Sequence, residues 1–188
     1  MLNWSELEKA VNECKKCELY KMRNNIVMGD GDKKADLLII SEAPGKQEDL
    51  TGKPFVGKSG LLLDKILASV DLKRDEIYLA NIVKCRPPNN RNPKESERQL
   101  CLPYLRNQFA LIKPKIIVCL GRVSAQTIIE PSFKITKQRG IWYERKNCLI
   151  IATYHPAALL RDSTKKRDVW EDFKNIKSKY DELKKTQL

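Results

Sequence analysis

No apolar run in this chain approaches the length of a membrane span, and no charged start leads into an apolar stretch. Neither a spanning helix nor a signal peptide is therefore expected. Internal repeats, low-complexity tracts and linker-like segments are also missing, which points to a single domain over residues 1–188, long enough for a real core. Histidine occurs once, at His155, so any imidazole chemistry must use that residue. Acidic residues are in short supply: 24 Asp and Glu face 36 Lys and Arg, a net charge of +12. Such a surplus suits a polyanionic partner, nucleic acid foremost, and equally a plain solvated lysine-rich surface; charge alone does not separate the two. An unsecreted chain keeps its thiols reduced, which disfavours disulfides and favours metal-binding cysteines.

The cysteines are divided. Cys14 and Cys17 form a Cys-x-x-Cys near the start, while Cys85 and Cys101 lie mid-chain. A tight Cys-x-x-Cys rarely serves packing alone, and a split quartet suits a tetrahedral sulfur site, either zinc or an iron–sulfur cluster. The competing reading is two unrelated pairs of buried thiols, or disulfides. Cys119 and Cys148 differ, since each sits in an apolar run and reads as a buried strand residue.

Trp4, Leu7, Val11 and Cys14 recur at helical spacing behind a cap at Asn3 or Ser5, which puts Cys14 on the buried face of a short N-terminal helix. Strands are expected at Asp36 to Ser41, Ile77 to Val83, Ile116 to Leu120 and Leu149 to Thr153. Between the first two come a long loop from Glu42 to Lys58 and a helix from near Ser59 through Val70. Asn92-Pro93-Lys94-Glu95 opens another helix, with Asn92 as cap, Pro93 at the first position and Glu95 reaching back, and Pro103 should break or kink it just after Cys101. Gly121 turns into a helix through Ile129, and 134–144 reads as a loop or edge hairpin. Val169, Phe173, Ile176, Tyr180 and Leu183 give a C-terminal helix one apolar stripe. Alternating strands and helices imply an α/β protein, a three-layer α/β/α sandwich around a central, largely parallel four-stranded sheet.

In open parallel sheets, ligands bind beyond the carboxyl ends of the strands. That rule selects Glu42, Asn81 and His155, an acid, an amide and an imidazole at three strand ends. A neutral imidazole can donate to an oxygen that gains charge during reaction, and an amide, both donor and acceptor, suits the edge of a base. The ordinary alternatives are a structural histidine and a strand-end turn residue. Gly52 to Ser59 meets the spacing Gly-x-x-x-x-Gly-Lys-Ser of a phosphate loop. It starts too far from the strand, however, and Pro54-Phe55 interrupts a loop that needs consecutive backbone amides, so no nucleotide site is expected.

Four segments stand out together: Glu42-Ala43-Pro44-Gly45 with Glu48-Asp49, Gly52 to Gly57, Asn81 to Arg91, and His155 to Arg161. With Cys14, Cys17 and Cys101 in order, they resemble the family 4 uracil-DNA glycosylases, the iron–sulfur branch of the uracil-DNA glycosylase superfamily, over nearly the whole chain. The resemblance implies that Cys14, Cys17, Cys85 and Cys101 hold a structural [4Fe–4S] cluster. It implies that Phe55 stacks on a flipped uracil, that Asn81 reads its polar edge, and that Glu42-Ala43 contacts the base through backbone groups. His155 would stabilise charge on uracil O2. Glu42 and Glu48 are the other catalytic candidates, Glu48 lining the pocket near the sugar or the uracil C5. Leu159 or Leu160 would enter the duplex as an apolar wedge, with Arg86, Arg91 and Arg161 on phosphates.

The implied activity is monofunctional hydrolysis of the N-glycosidic bond of deoxyuridine in single- or double-stranded DNA, by an intracellular, nucleoid-associated monomer. There are departures. Ser41 stands where a glycine often precedes the glutamate, and Ala43 replaces a frequent glycine. The first loop lacks the aspartate that activates water elsewhere in the superfamily, and no histidine lies near Arg91, which speaks against a relative that traps uracil covalently. The competing function is a non-catalytic iron–sulfur DNA-binding or redox module, which would not need Asn81, His155 and Phe55 together.

Overall fold

The apolar runs become central strands because their aliphatic side chains serve both faces of a sheet at once. A computed structural model describes residues 1–146 and 148–185. The elements are α1 (Trp4–Asn12), β1 (Asp30–Gly31), β2 (Leu37–Ser41), α2 (Lys46–Thr51), α3 (Lys58–Ala68), β3 (Tyr78–Asn81) and α4 (Glu95–Ile112). They continue with β4 (Ile116–Leu120), α5 (Arg122–Ile128), α6 (Ile135–Gln138), β5 (Trp142–Arg145), β6 (Cys148–Thr153), α7 (Pro156–Arg161) and α8 (Lys166–Lys185). One sheet runs in the order β1-β3-β2-β4-β6-β5. The inner four strands are parallel, and β1 and β5 pair antiparallel at the two edges.

Helices cover both faces. α4 and α5 pack over Leu38, Ile40, Ile117 and Cys119, while α3, α7 and α8 pack over Leu37, Ile39, Val118 and Ile151. The result is the expected α/β/α layering around a largely parallel sheet, with six strands instead of four. The two added strands are short edges without apolar runs: β1 has two exposed residues, and the outer half of β5 is exposed. β1 left no mark in composition, whereas β5 overlaps the end of the 134–144 segment expected as a loop or edge hairpin and pairs antiparallel with β6. Cys119 and Cys148 are buried in strands as expected.

Local differences have local causes. α1 ends at Asn12, so Cys14 lies just beyond the helix, half-buried. Leu7 and Val11 are its buried face and meet Tyr104 of α4. The long loop after β2 contains α2, which closes at Gly52 with φ +72°, a left-handed turn suited to glycine. α4 begins at Glu95, one residue past its cap Lys94, and Glu97 rather than Glu95 reaches back to the cap. Pro103 lies inside α4, which continues to Ile112. Burial of Tyr104, Leu105, Gln108 and Ile112 beyond it holds the helix against the ~3 kcal/mol that an interior proline costs.

β2 is the first inner strand; the chain then visits β3 on one side of it and β4 on the other. The carboxyl ends of β2 and β4 therefore flank a topological switch point, where crossovers diverge and leave a crevice.

Candidate active site

Ser41 and Asn81 end β2 and β3 as register partners, and both are buried. His155 follows β6 by two residues. Gly121, immediately after β4, has φ +88°, and a Cβ there would lie 3.0 Å from the Cβ of His155. Glycine thus lets the end of β4 pass close beside the imidazole. These strand ends open into a cleft of about 850 Å³, which Glu42, Ala43, Glu48, Phe55 and Arg161 also line. Its size lies within the range of small-molecule sites in general.

The hydrogen bonds of His155 fix its tautomer. Nδ1 accepts from the Ala157 N–H at 3.0 Å and so caps α7. A neutral ring must then carry its proton on Nε2, which lies 2.9 Å from Ser41 Oγ. Burial, reinforced by the charge of Arg161 and opposed by Glu48, lowers the pKa of His155 to about 4. At neutral pH the residue is an uncharged Nε2–H donor.

Phe55 is buried at φ +55°, a strained conformation for an aromatic residue, and it is held from three sides. Arg74 donates to the carbonyls of Pro54 at 2.5 Å and Phe55 at 3.0 Å, and pairs with Asp64 at 3.0 Å. Glu48 Oε1 accepts from the Val56 and Gly57 N–H groups at 3.0 and 2.8 Å. α3 comes in so closely that a Cβ on Gly60 would sit 1.9 Å from the Phe55 carbonyl oxygen. The resemblance to a phosphate loop dissolves here, because the amides before Lys58 are committed to a carboxylate.

Glu42 is half-buried, and desolvation raises its carboxyl pKa while Arg122 and Arg161 pull it back. Among the described residues no hydrogen bond engages its carboxylate. The same holds for the side-chain amide of Asn81; it is the Asn81 backbone carbonyl that accepts from Lys84 Nζ, at 2.8 Å.

The four cysteines of the divided set line a second, smaller cavity with Val11, Leu19, Lys84 and Tyr104. Burial raises the pKa of Cys17, Cys85 and Cys101, the last to about 11. Two cations face these thiols. Arg23 Nη1 donates to Cys85 Sγ at 3.2 Å. Lys84 is fully buried; among the described residues its ammonium bonds the Asn81 backbone carbonyl and Gln108 Oε1, the latter at 2.6 Å, and its pKa falls to about 8. Among the described residues neither cation pairs with a carboxylate, and both lie beside the sulfurs, where they would favour the thiolate form. This donor set fits an anionic, thiolate-ligated group. Among the described residues no three His, Cys, Asp or Glu side chains close on a single metal position.

A model of the Uracil DNA glycosylase superfamily matches residues 28–174. The chain belongs to that superfamily. It is 44% identical to the Type-4 uracil-DNA glycosylase of Sulfurisphaera tokodaii over 92% of this chain and 82% of the relative. It is 41% identical to that of Archaeoglobus fulgidus, over 94% and 92% of the two chains, and 38% identical to that of Thermotoga maritima, over 92% of each.

Within this superfamily member, Glu42, Ala43, Glu48, Phe55, Asn81, His155, Arg91 and Arg161 border one cleft, and the four cysteines border another cavity. Two expectations change. Leu159 is 3% exposed and belongs to the core under α3 and α8, so it has no freedom to enter a duplex; Leu160, 53% exposed, has. The helical turn of α7 turns one leucine inward and the next outward, a distinction that adjacent identical residues hide. Arg91 is not a free cation, since its Nη groups bind both oxygens of buried Glu97 at 2.6 and 2.8 Å. Arg86 Nε donates to Asn90 Oδ1 at 2.7 Å.

Sequence reasoning missed Lys84, Arg74 and Asp172. Asp172 is buried on α8, where Arg139 Nη1 donates to it at 2.6 Å and the Thr153 hydroxyl also bonds it, securing β6 just before His155. A signal existed: Asp172 falls three residues after Val169 on the apolar stripe, and Lys84 interrupts an apolar run beside a cysteine.

Proposed function

We propose that this protein is a uracil-DNA glycosylase that acts in base excision repair. It hydrolyses the N-glycosidic bond of deoxyuridine in single- or double-stranded DNA and leaves free uracil and an abasic site. The observation that carries the reading is the neutral, tautomer-fixed His155 at the switch-point cleft. A duplex hides the bond in question, so the nucleotide must be flipped out, and Leu160 is the exposed apolar side chain placed to fill the gap. Phe55 would stack on the extruded base, the free amide of Asn81 would read its edge, and the Glu42-Ala43 backbone would border it.

As C1′–N1 breaks, the bonding pair leaves with uracil and charge gathers on O2. The Nε2–H of His155 is a donor whose strength comes from being held in place in a desolvated site. A cationic imidazole is not required. Water then bonds to C1′, and its proton passes to solvent or the departing base. Of the two candidate acids, Glu42 has its carboxylate free to orient that water, beside Arg122 and Arg161. Glu48 serves by bracing the Phe55 loop. Arg161, Arg86 and neighbouring lysines would meet phosphates, with Arg91 held against Glu97 as part of the cleft wall.

Cys14, Cys17, Cys85 and Cys101 would hold a [4Fe–4S] cluster, whose chemistry here is structural ligation that ties the segment after α1 to β3 and α4. Residues 1–188 are read as one glycosylase domain, a monomer working inside the cell on chromosomal DNA. The test is an assay of free uracil beside a visible absorption spectrum. Uracil release that leaves alkali-labile sites without strand cutting is expected. Salt-sensitive DNA binding with no base release would instead mark a non-catalytic iron–sulfur module.

A further inference from the structure

We propose that Ser41 is a positioning residue for His155, a role that rests on the glycosylase reading above. The imidazole is anchored at one nitrogen only by the Ala157 amide, which donates to Nδ1 at 3.0 Å. A single anchor leaves the ring free to swing about it. The second anchor is Ser41 Oγ, 2.9 Å from Nε2. Because Nδ1 is an acceptor, Nε2 is the protonated nitrogen, and it donates to the serine oxygen. Ser41 is 1% exposed, so this hydroxyl has little alternative in solvent. It is also the last residue of β2 and the register partner of Asn81. One strand-end residue therefore ties the donor imidazole to the same pair of strands that presents the base-reading amide.

A glycine at this position could not supply that contact. The hydroxyl keeps the Nε2–H pointed toward the strand ends before the base arrives, and it lies at hydrogen-bond distance from the proton that the base must recruit. Rigid presentation of a donor is what makes it worth more than the same donor in water. The loss of one neutral hydrogen bond that orients the donor should cost about tenfold in the chemical step.

The experiment uses the full chain with its cysteine site intact, as wild type, Ser41→Ala and Ser41→Gly. The lone histidine makes ¹⁵N-histidine NMR unambiguous. Wild type should show one Nε2–H tautomer with a slowly exchanging proton. Ser41→Ala should keep its melting temperature and visible absorption, exchange that proton faster, and cut single-turnover uracil release about tenfold with DNA affinity unchanged. Ser41→Gly should follow it. Equal release rates in wild type and Ser41→Ala would overturn the proposal, whatever the NMR shows. So would a slower rate with unchanged His155 signals, because the effect would then not pass through the imidazole. Failure of wild type to release uracil would instead sink the glycosylase reading, while the NMR arm would still report whether Ser41 holds the ring.

Discussion

The cleft and the cysteine cavity lie on either side of one short segment, Asn81 to Cys85, yet they treat polar groups in opposite ways. In the cleft the Asn81 amide, the Glu42 carboxylate and the cations around it face open volume. In the cysteine cavity two cations are bonded to protein groups, Lys84 to the Asn81 backbone carbonyl and Gln108, Arg23 to Cys85 and the Asn12 carbonyl. Groups left unpaired beside open volume are available to a substrate; groups already bonded within the protein serve the fold. The contrast is the basis for proposing chemistry in the cleft and anchoring at the cysteines.

The contrast can be broken at several points. The largest expected effect separates two adjacent leucines. Leu159→Ala should lose about 3 kcal/mol of stability with a vacated core site, read as a lowered Tm. Leu160→Ala should keep its Tm and lose excision from duplex more than from single strands. If Leu160→Ala unfolded the protein as Leu159→Ala does, the division of α7 into inner and outer residues would be wrong. Lys84→Met comes next. It leaves the Asn81 carbonyl and Gln108 Oε1 without their donor and should cost about 2 kcal/mol, with faster bleaching of visible absorption. Unchanged stability and absorption would detach Lys84 from the cysteine site.

Acid should act more gently. The folded His155 has a pKa near 4 against 6.5 for the ordinary side chain. As pH falls from 6.5 toward 4 the unfolded chain takes up a proton that the folded one refuses, so stability declines across that window. Uracil release should stay flat above pH 5 on this residue's account. A limb centred near 6.5 in the pH–rate profile would show that the imidazole is not desolvated as described. The smallest effect belongs to Arg161→Ala, which should weaken DNA binding severalfold and reduce the salt slope by about 1. An unaltered slope would remove Arg161 from the phosphate surface.

Much of this was readable in the chain, and what was not has physical reasons. The four inner strands and the convergence of Glu42, Asn81 and His155 followed from apolar runs and the strand-end rule, because a parallel sheet leaves a crevice at one edge only. The edge strand β1 escaped because it buries too little to be written in hydrophobicity, and β5 was legible only as one of two readings, loop or edge hairpin. Continuation of α4 through Pro103 escaped because tertiary packing decided it. Leu159 and Leu160 looked interchangeable because helical phase, not identity, sets which one is buried. Arg91 looked free because the charge that claims it, Glu97, is brought alongside by a capped helix start. The Ser41–His155 contact spans 114 positions and left no mark in either local sequence.

The central claim is that a neutral His155 in the cleft, not the cysteine site, stabilises the departing base. Its most direct test is single-turnover uracil release by His155→Asn beside wild type, with visible absorption and Tm recorded on the same samples. Asparagine keeps an acceptor to cap α7 but removes the Nε2–H donor. The account predicts a rate lowered about 10²–10³-fold with absorption and Tm unchanged. A rate equal to wild type, or a loss of absorption and fold together with the rate, would contradict it.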